Sequence, residues 1–225
     1  MPVARKTPRR AQGERGARAA QGERRTQGER RESMMRKLVD AATESLIDVG
    51  YAGASVQEVC ARAGVSTGAL FRHFPTREAL MVAAGEDVGR QLLERYRREF
   101  EALRGERDPL ELALRLVRGS CRSRLNQAWY ELAMAARTNG RLHKALGPMA
   151  ERYYADITAL AHELLPELAD ALGEHFPLLV STIVAVFDGE VVQRFVLKAP
   201  ALEEARLQLL LGVVRQLSSS GRRAS

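Results

Sequence analysis

The sequence predicts an all-α protein with two helical domains. Three observations support this class: apolar residues recur three or four positions apart along most of the 225 residues, capping residues precede these runs, and Gly or Pro ends them. The first run, between Met35 and Val49, places Leu38, Ala42 and Leu46 on one face of a helix. Gly50 is a suitable residue to end that helix.

Two short helices and a tight turn follow. Ser55 begins a capping box at the start of the first helix, and Gly64 supplies the positive φ that turns the chain within three residues. Ser66 is suited to cap the second helix, and Pro75 prevents that helix from continuing. This order of signals predicts a helix-turn-helix over about residues 55–74, a motif whose second helix enters the major groove of DNA.

The second of these helices carries the candidate base-reading residues. Gly68 costs about 1 kcal/mol relative to Ala in a helix, so helix propensity does not explain its presence. We interpret Gly68 and Ala69 as keeping the first turn slim, so that the backbone approaches the base pairs and the Ala69 methyl meets a thymine methyl. The alternative is a crowded contact between helices. Thr67 and Arg72 are then the base-edge readers, with a phosphate contact as the alternative for Arg72.

The segment AGVSTGALFRHFPTREAL resembles the TetR/AcrR-type bacterial transcriptional regulators, and the resemblance covers about residues 32–92. It implies an N-terminal three-helix helix-turn-helix domain, joined to a larger all-helical domain for ligand binding and dimerisation. It also implies that Ser55 touches phosphate and that residues 66–72 lie in the groove. His73 and Arg77 are implied to clamp the DNA backbone, and the alternative for His73 is a solvated side chain.

Phe71 departs from the pattern of this family, because such proteins usually carry a tyrosine at the corresponding position. Without the hydroxyl, the side chain cannot donate a hydrogen bond to phosphate, and the ring contributes only packing against the sugar. A hydrogen bond to a charged group is worth about 1.5–3 kcal/mol. We therefore expect compensating affinity from other parts of the chain.

The N-terminal segment is the expected source of that affinity. Residues 1–32 contain ten Lys or Arg and four Glu, a net charge of +6, whereas residues 33–80 contain five basic and five acidic residues. Three copies of Gln-Gly-Glu-Arg occur in it, with hardly any large apolar residue. Such a segment buries too little surface to order itself, which predicts a disordered basic arm over residues 1–31.

The arm has a predicted DNA-binding role of its own. A disordered basic segment ahead of a helix-turn-helix lies along phosphates or enters the neighbouring minor groove, and Arg30, Arg31 and Arg36 are the nearest candidates. The alternatives are a tail that only confers solubility and a misassigned start codon, with Met34 or Met35 as the true start. The four Glu and the lack of an apolar stripe argue against a mitochondrial presequence.

A second all-α domain is predicted over residues 93–218, followed by a disordered tail over residues 219–225. A helix from about Thr76 to Leu103 is long enough to belong to both domains. Pro166 and Gly173 mark a loop region. The other helices are predicted after Asp108-Pro109, around residues 126–137, over about 141–164, over 176–197 and over 200–217.

The last two predicted helices are the most apolar part of the chain. We predict that they have more apolar surface than one protomer covers, and the resemblance implies that two subunits pack here as a four-helix bundle. An ordinary core is the alternative. The twelve uncharged residues 176–187 are too few to span a membrane. The candidate dimer residues are Ile183, Phe187, Val191, Phe195, Leu202, Leu209 and Val213.

The resemblance also implies a small-molecule effector between helices four to eight, whose binding changes the distance between the two reading helices and releases DNA. Aromatic residues and Met at helical spacing are the candidates to line its pocket, with plain core as the alternative. Four arginines between residues 115 and 124 would suit an anionic effector or a solvated helix face. The pocket candidates are Trp129, Tyr130, Met134, Tyr153, Tyr154 and Phe187.

The sequence shows no motif for catalysis, a metal or a cofactor. Its four His and two Cys form no Cys-x-x-Cys, and position 166 is Pro where a zinc-binding helix starting at His162 needs a second His. It has no Gly-rich phosphate loop and no Gly-x-Ser-x-Gly elbow. We therefore expect no enzyme activity, no metal and no cofactor.

These features together predict a cytoplasmic homodimer that binds double-stranded DNA. The expected mode is a repressor that occupies a palindromic operator, excludes polymerase and is released by an unknown small molecule. Two unpaired Cys and no signal peptide suit a reducing cytosol. The main alternative is a nucleoid-type protein that binds DNA without sequence preference.

Overall fold

The computed structural model describes residues 26–101 and 108–224, with side chains through residue 219. Over these residues the protein consists of ten α-helices and one short 3-10 helix, and it contains no strand, which confirms the all-α prediction. The 3-10 helix is Gly173–His175. The α-helices are α1 (Gln27–Gly53), α2 (Val56–Ala63), α3 (Thr67–Phe71), α4 (Arg77–Glu101), α5 (Pro109–Cys121), α6 (Arg124–Ala136), α7 (Gly140–Leu164), α8 (Pro166–Leu172), α9 (Phe176–Arg194) and α10 (Pro200–Ala224).

The chain divides into two units, Met1–Lys37 and Leu38–Ser225. In the first unit, Thr26 and Glu29 form a reciprocal capping box. The Thr26 amide donates to Glu29 Oε2 over 2.7 Å, and the Glu29 amide donates to Thr26 Oγ1 over 3.2 Å. Residues 27–31 are therefore helical, which corrects the predicted arm boundary. The rest of the predicted arm, residues 1–25, lies outside the described residues.

In the second unit, the helix-turn-helix has the predicted Ser caps, but the capping box at Ser55 is not reciprocal. The Ser55 amide donates to the Gly53 carbonyl over 2.7 Å, and Glu58 Oε1 accepts from Arg62 Nη2 over 2.9 Å. Ser55 Oγ accepts from the Glu58 amide over 3.1 Å, and Ser66 Oγ accepts from the Ala69 amide over 3.2 Å. Gly64 ends α2 with a φ of 61°, a conformation that favours glycine. Gly50 has a φ of 70° and interrupts the helical geometry of α1 where the sequence predicts an end. The buried residues of these helices include Leu38, Leu46, Val59 and Leu70.

The predicted dimer set divides into two groups. Ile183, Phe187 and Val191 are buried in the core of the protomer, where α9 packs against α5 and α10, so their assignment to a dimer interface is corrected. The core partners of these three residues include Leu114, Leu207, Leu211 and Val214. The other four predicted residues have exposed side chains: Phe195, Leu202, Leu209 and Val213.

Two predicted irregular segments are helical. The segment between Pro166 and Gly173, predicted as a loop, contains α8, because Pro166 occupies the first turn, where a missing N–H costs nothing. The backbone of residues 219–224, predicted as part of a disordered tail, continues α10 to Ala224.

One described segment, Pro166–Arg194, contains a stretch that is long and apolar enough to cross a membrane by length and composition. It extends beyond the twelve uncharged residues considered from the sequence. Core helices of globular proteins meet the same criterion, and α9 buries Phe176, Ile183 and Phe187 inside the protein. The composition of this segment alone therefore does not indicate a membrane span.

The four arginines between residues 115 and 124 bind acidic residues, so they form neither a free anion site nor a plain solvated face. Arg118 is buried, and its Nε donates to Glu190 Oε1 over 3.0 Å. Arg122 also donates to Glu190. Arg115 pairs with Glu111 and Glu204, and Arg124 pairs with Glu44 and Asp48. The network ties α5 to α9 and α10.

Candidate nucleic-acid interface

The predicted base-reading residues form the outer surface of α3. Thr67, Gly68 and Arg72 are exposed and Ala69 is half-buried, whereas Leu70 faces the core. A Cβ added at Gly68 would meet no atom within 4 Å, so a crowded contact between helices does not explain this glycine. The space outside Gly68 is open, as close approach of the α3 backbone to base pairs requires.

Arg72 and His73 follow at the end of α3. Arg72 Nε donates to the Gly68 carbonyl over 3.3 Å, and its terminal nitrogens have no hydrogen-bond partner among the described residues. His73 is half-buried, and its predicted contact with the DNA backbone stays a prediction. The Nδ1 atom of His73 is buried, and it has no hydrogen-bond partner among the residues that the structure describes.

Arg77 makes contacts within the protein. Its Nε donates to the Ala54 carbonyl over 2.9 Å, and its Nη2 donates to the Tyr51 carbonyl. The guanidinium carbon lies 4.1 Å from the centroid of the Tyr51 ring. Arg77 therefore holds the segment before α2 against the start of α4, which positions Ser55. The predicted phosphate contact of Arg77 stays a prediction, and its engaged guanidinium gives the side chain a positioning role.

A second set of contacts joins this segment to α6 and to the turn after it. The Tyr51 amide donates to Glu131 Oε2 over 2.9 Å, and Asn139 Nδ2 donates to the Tyr51 hydroxyl over 3.3 Å. Arg124 at the start of α6 binds α1 through Glu44 and Asp48. Sequence reasoning missed Tyr51, Glu131 and Asn139, because partners about 80 residues apart leave no local signal.

The predicted effector-pocket residues stay a prediction, and they do not line the apolar cavity between the helices of the second unit. A cavity of about 80 Å³ lies between α4, α5, α7, α8 and α9, and its lining is almost wholly apolar, including Tyr96, Leu114, Leu160, Phe176 and Val180. The six pocket candidates are all outside this lining. Their positions differ: Tyr130 and Phe187 are core, Met134 and Tyr154 are exposed, and Trp129 and Tyr153 line a neighbouring cavity of about 20 Å³.

Comparison with known proteins agrees with this geometry. The family model described as bacterial regulatory proteins, tetR family, matches residues 38–84. The uncharacterized HTH-type transcriptional regulator Rv2912c of Mycobacterium tuberculosis is 38% identical over 183 residues, which are 81% of this chain and 93% of that protein. The chain belongs to the TetR family. It is therefore a DNA-binding transcriptional regulator, and this family is not one of enzymes.

Solved TetR-family structures share its fold. A TetR-family member from Streptomyces coelicolor A3 is 27% identical, with a TM-score of 0.55 over 79% of this chain and 96% of that chain. The multidrug binding protein EbrR, solved in complex with imidazole, is 25% identical, with a TM-score of 0.59 over 79% of this chain and 92% of that chain.

Replacing Phe71 by Tyr is predicted to strengthen DNA binding by this TetR-family chain. Its ring is 45% exposed at the end of α3, beside Arg72. We expect Phe71→Tyr to strengthen DNA binding about 10-fold, because the new hydroxyl donates to a phosphate and such a bond is worth at least about 1.5 kcal/mol. Fluorescence anisotropy at fixed salt measures the change, with Phe71→Leu as the control that removes ring packing. Equal affinities of Phe71→Tyr and the wild type would show that no phosphate lies in reach.

Proposed function

We propose that this regulator is a homodimeric repressor that binds a palindromic operator and is released by a small molecule. The observation that carries the proposal is the outer surface of α3, where Thr67, Gly68, Phe71 and Arg72 are exposed on a helix held by the Ser66 cap. A Cβ added at Gly68 would meet no atom within 4 Å, so this side of the helix is open for close approach to a groove. A dimer clamped over a promoter excludes polymerase without needing an activation surface.

The exposed apolar faces of α9 and α10 support dimerisation. Leu178 and Val192 lie exposed on α9, and Leu202, Leu209 and Val213 lie exposed on α10. Monomeric proteins rarely expose large contiguous apolar surface, so such a face suits a second copy of the chain. Two copies of α3 then read two half-sites about one helical turn apart, which raises both affinity and specificity.

The apolar cavity beside Tyr96 is the proposed effector site. Its lining from five helices suits the apolar body of a small organic molecule. EbrR, which is described as a multidrug binding protein, shares this fold and supports a small-molecule effector here. The contacts of Tyr51 with Glu131 and Asn139 provide a route from α6 and its following turn to α2. We propose that effector binding displaces α4 and α7, which line the cavity and pack against α6, and thereby shifts the reading helices.

We also propose that the protein acts in the cytoplasm, where its DNA is. Cys60 and Cys121 are both buried free thiols, which suits a reducing compartment. On DNA, Arg30, Arg31 and Arg36 would add phosphate contacts, and all three are exposed. Ser55, His73 and Arg77 would set the position of the protein on the backbone without reading bases.

Selection of binding sites from a random duplex library tests the proposal. We expect an inverted repeat, because two identical α3 helices related by a two-fold axis read identical half-sites. A flat selection would favour the non-sequence-specific alternative and overturn the operator proposal. With the selected duplex, a panel of small organic molecules is then screened for release of the protein from DNA.

Asp188 lies close to the proposed effector region and gives a pH prediction. The Tyr130 hydroxyl donates to Asp188 Oδ1 over 2.7 Å. Burial raises the pKa of the Asp188 carboxyl, and hydrogen bonds from Tyr130 and Cys121 oppose that rise. A folded-state pKa above the unfolded value of about 3.9 means that ionisation of Asp188 destabilises the folded protein as pH rises through the folded pKa.

We therefore expect Asp188→Asn to gain stability relative to wild type as pH increases above about 4. The amide oxygen still accepts from Tyr130, so the variant removes the charge and keeps the hydrogen bond. Thermal unfolding of both proteins between about pH 4, close to the unfolded pKa, and about pH 8 measures the difference. A difference in melting temperature that stays constant over this range would contradict the prediction.

A further inference from the structure

The DNA-reading part of the second unit is deficient in positive charge. Residues 38–80 contain three basic and five acidic residues, a net charge of −2. Arg62 binds Asp48 and Glu58, and the guanidinium of Arg77 binds backbone carbonyls. Phosphate contacts from Lys and Arg supply much of the affinity of proteins for DNA. Arg72 is thus the basic residue of this segment whose terminal nitrogens are free for DNA.

Three cations without described ion pairs lie at the turn between α6 and α7. Arg137, Arg141 and Lys144 are exposed, and residues 137–150 contain no acidic residue. Thr138, Asn139, Gly140, Arg141 and Lys144 line an open concave surface. Elsewhere in the second unit most arginines bind acidic side chains, as Arg62, Arg90, Arg115, Arg118, Arg122, Arg124, Arg152, Arg194 and Arg206 do.

This turn is attached to the part of the helix-turn-helix that precedes α2. Asn139, which caps α7, also donates to the Tyr51 hydroxyl over 3.3 Å. The Tyr51 ring packs on the Arg77 guanidinium, and Tyr51 lies four residues before Ser55. Tyr51 therefore links the turn to Arg77 at the N-terminal end of α4, and the chain reaches the N-terminal end of α2 four residues after Tyr51. These are the ends that the family resemblance places against the DNA backbone.

We propose that Arg137, Arg141 and Lys144 form a second DNA contact, which binds phosphates flanking the half-site read by α3. The inference rests on the proposed docking of α3 in the major groove. Duplex DNA carries one phosphate charge about every 1.7 Å of its axis, so flanking phosphates are present whatever the sequence. The contact adds affinity and fixes orientation without reading bases. It also places a DNA contact on the effector-binding part of the chain.

The test compares two variants with the same reduction in charge. The first replaces Arg137, Arg141 and Lys144 by Gln. The control replaces Arg97, Arg98 and Lys198 by Gln, three other exposed cations without described ion pairs. Arg97 and Arg98 lie about 30 Å along α4 from Arg77, at 1.5 Å per residue. All six side chains are exposed, so both variants are expected to fold, and circular dichroism checks this.

Fluorescence anisotropy measures the dissociation constant of each protein at several salt concentrations. The duplexes are the selected site with long flanks, the same site truncated at its edges, and a scrambled long duplex. We expect the slope of log affinity against log salt to flatten by about 0.9 for each phosphate that the turn variant no longer binds, and to change less in the control variant. On the truncated duplex, wild type and turn variant should have similar slopes.

Two results would overturn the proposal: equal slopes for wild type and the turn variant on the long duplex, or equal flattening in the turn and control variants. The second result would mean that overall charge, and no local contact, sets the slope. A failure of the operator proposal can be told apart from a failure of the turn contact. In that case, selection from the random duplex library gives no inverted repeat. The slopes on the scrambled duplex still measure the turn contact in that case.

Discussion

Replacing Glu190 by Ala is expected to lower the free energy of unfolding, by up to about 3–5 kcal/mol, because it removes the most buried carboxylate from a cluster of arginines. Glu190 is only 2% exposed. Its Oε1 accepts from Arg118 Nε over 3.0 Å and also from Arg122, and its Oε2 accepts from Arg206 Nη1 over 2.9 Å. Without this carboxylate, Arg118 and Arg122 keep only Glu203 and Glu204 as acidic partners. Arg206 loses the carboxylate that its Nη1 binds.

Glu204→Ala is the matched control. This carboxylate also pairs with Arg118, over 3.1 Å, but its side chain is 45% exposed. Solvent screens such a pair, so the control should leave the free energy of unfolding nearly unchanged. Urea unfolding at pH 7 and at one fixed protein concentration measures both variants, because the proposed dimerisation would make apparent stability depend on concentration. Equal decreases in the two variants would show that burial of Glu190 adds nothing.

The helix-turn-helix was predictable because its signals are local. Ser55 and Glu58 are three residues apart, Gly64 directly follows the helix it ends, and a pattern of that kind needs no knowledge of distant residues. The start of α1 has the same kind of signal in Thr26 and Glu29. The basic composition around this pair predicts disorder, whereas the helix begins directly after the capping residue Thr26.

The polar contacts between helices were not predictable, for a physical reason. Glu190 and Arg118 are 72 residues apart, and Tyr51 and Glu131 are 80 apart. Any of the many arginines could pair with any acidic residue until the helices are placed. Apolar residues have the same ambiguity, because a Phe at helical spacing lines a core, a cavity or an interface equally well. The sequence therefore predicts Phe187 for both a pocket and a dimer face. In the structure, Phe187 lies in the core of the protomer.

A charge placed on the exposed apolar face of α10 is expected to have a large effect on dimerisation and on affinity for DNA. α10 buries Leu207, Leu211 and Val214 on one side, while Leu209 is 67% exposed on the other. In a dimer packed through this face, Leu209→Glu places a carboxylate from each protomer in an apolar interface, and burying an unpaired charge is costly. We expect the variant to be monomeric at micromolar concentration and to bind the selected duplex at least about 100-fold more weakly, because it reads one half-site.

Light scattering after gel filtration measures the oligomeric state, and fluorescence anisotropy measures the affinity. Met134→Glu is the matched control, because Met134 is also an exposed apolar residue, at 57%, and it lies on α6, outside the exposed face of α9 and α10. Both variants should fold, since neither side chain belongs to the protomer core. A dimeric Leu209→Glu protein would mean that the subunits pack through another surface. A monomer that keeps full affinity for the inverted repeat would mean that the two half-sites are bound independently, so that dimerisation contributes nothing to operator recognition.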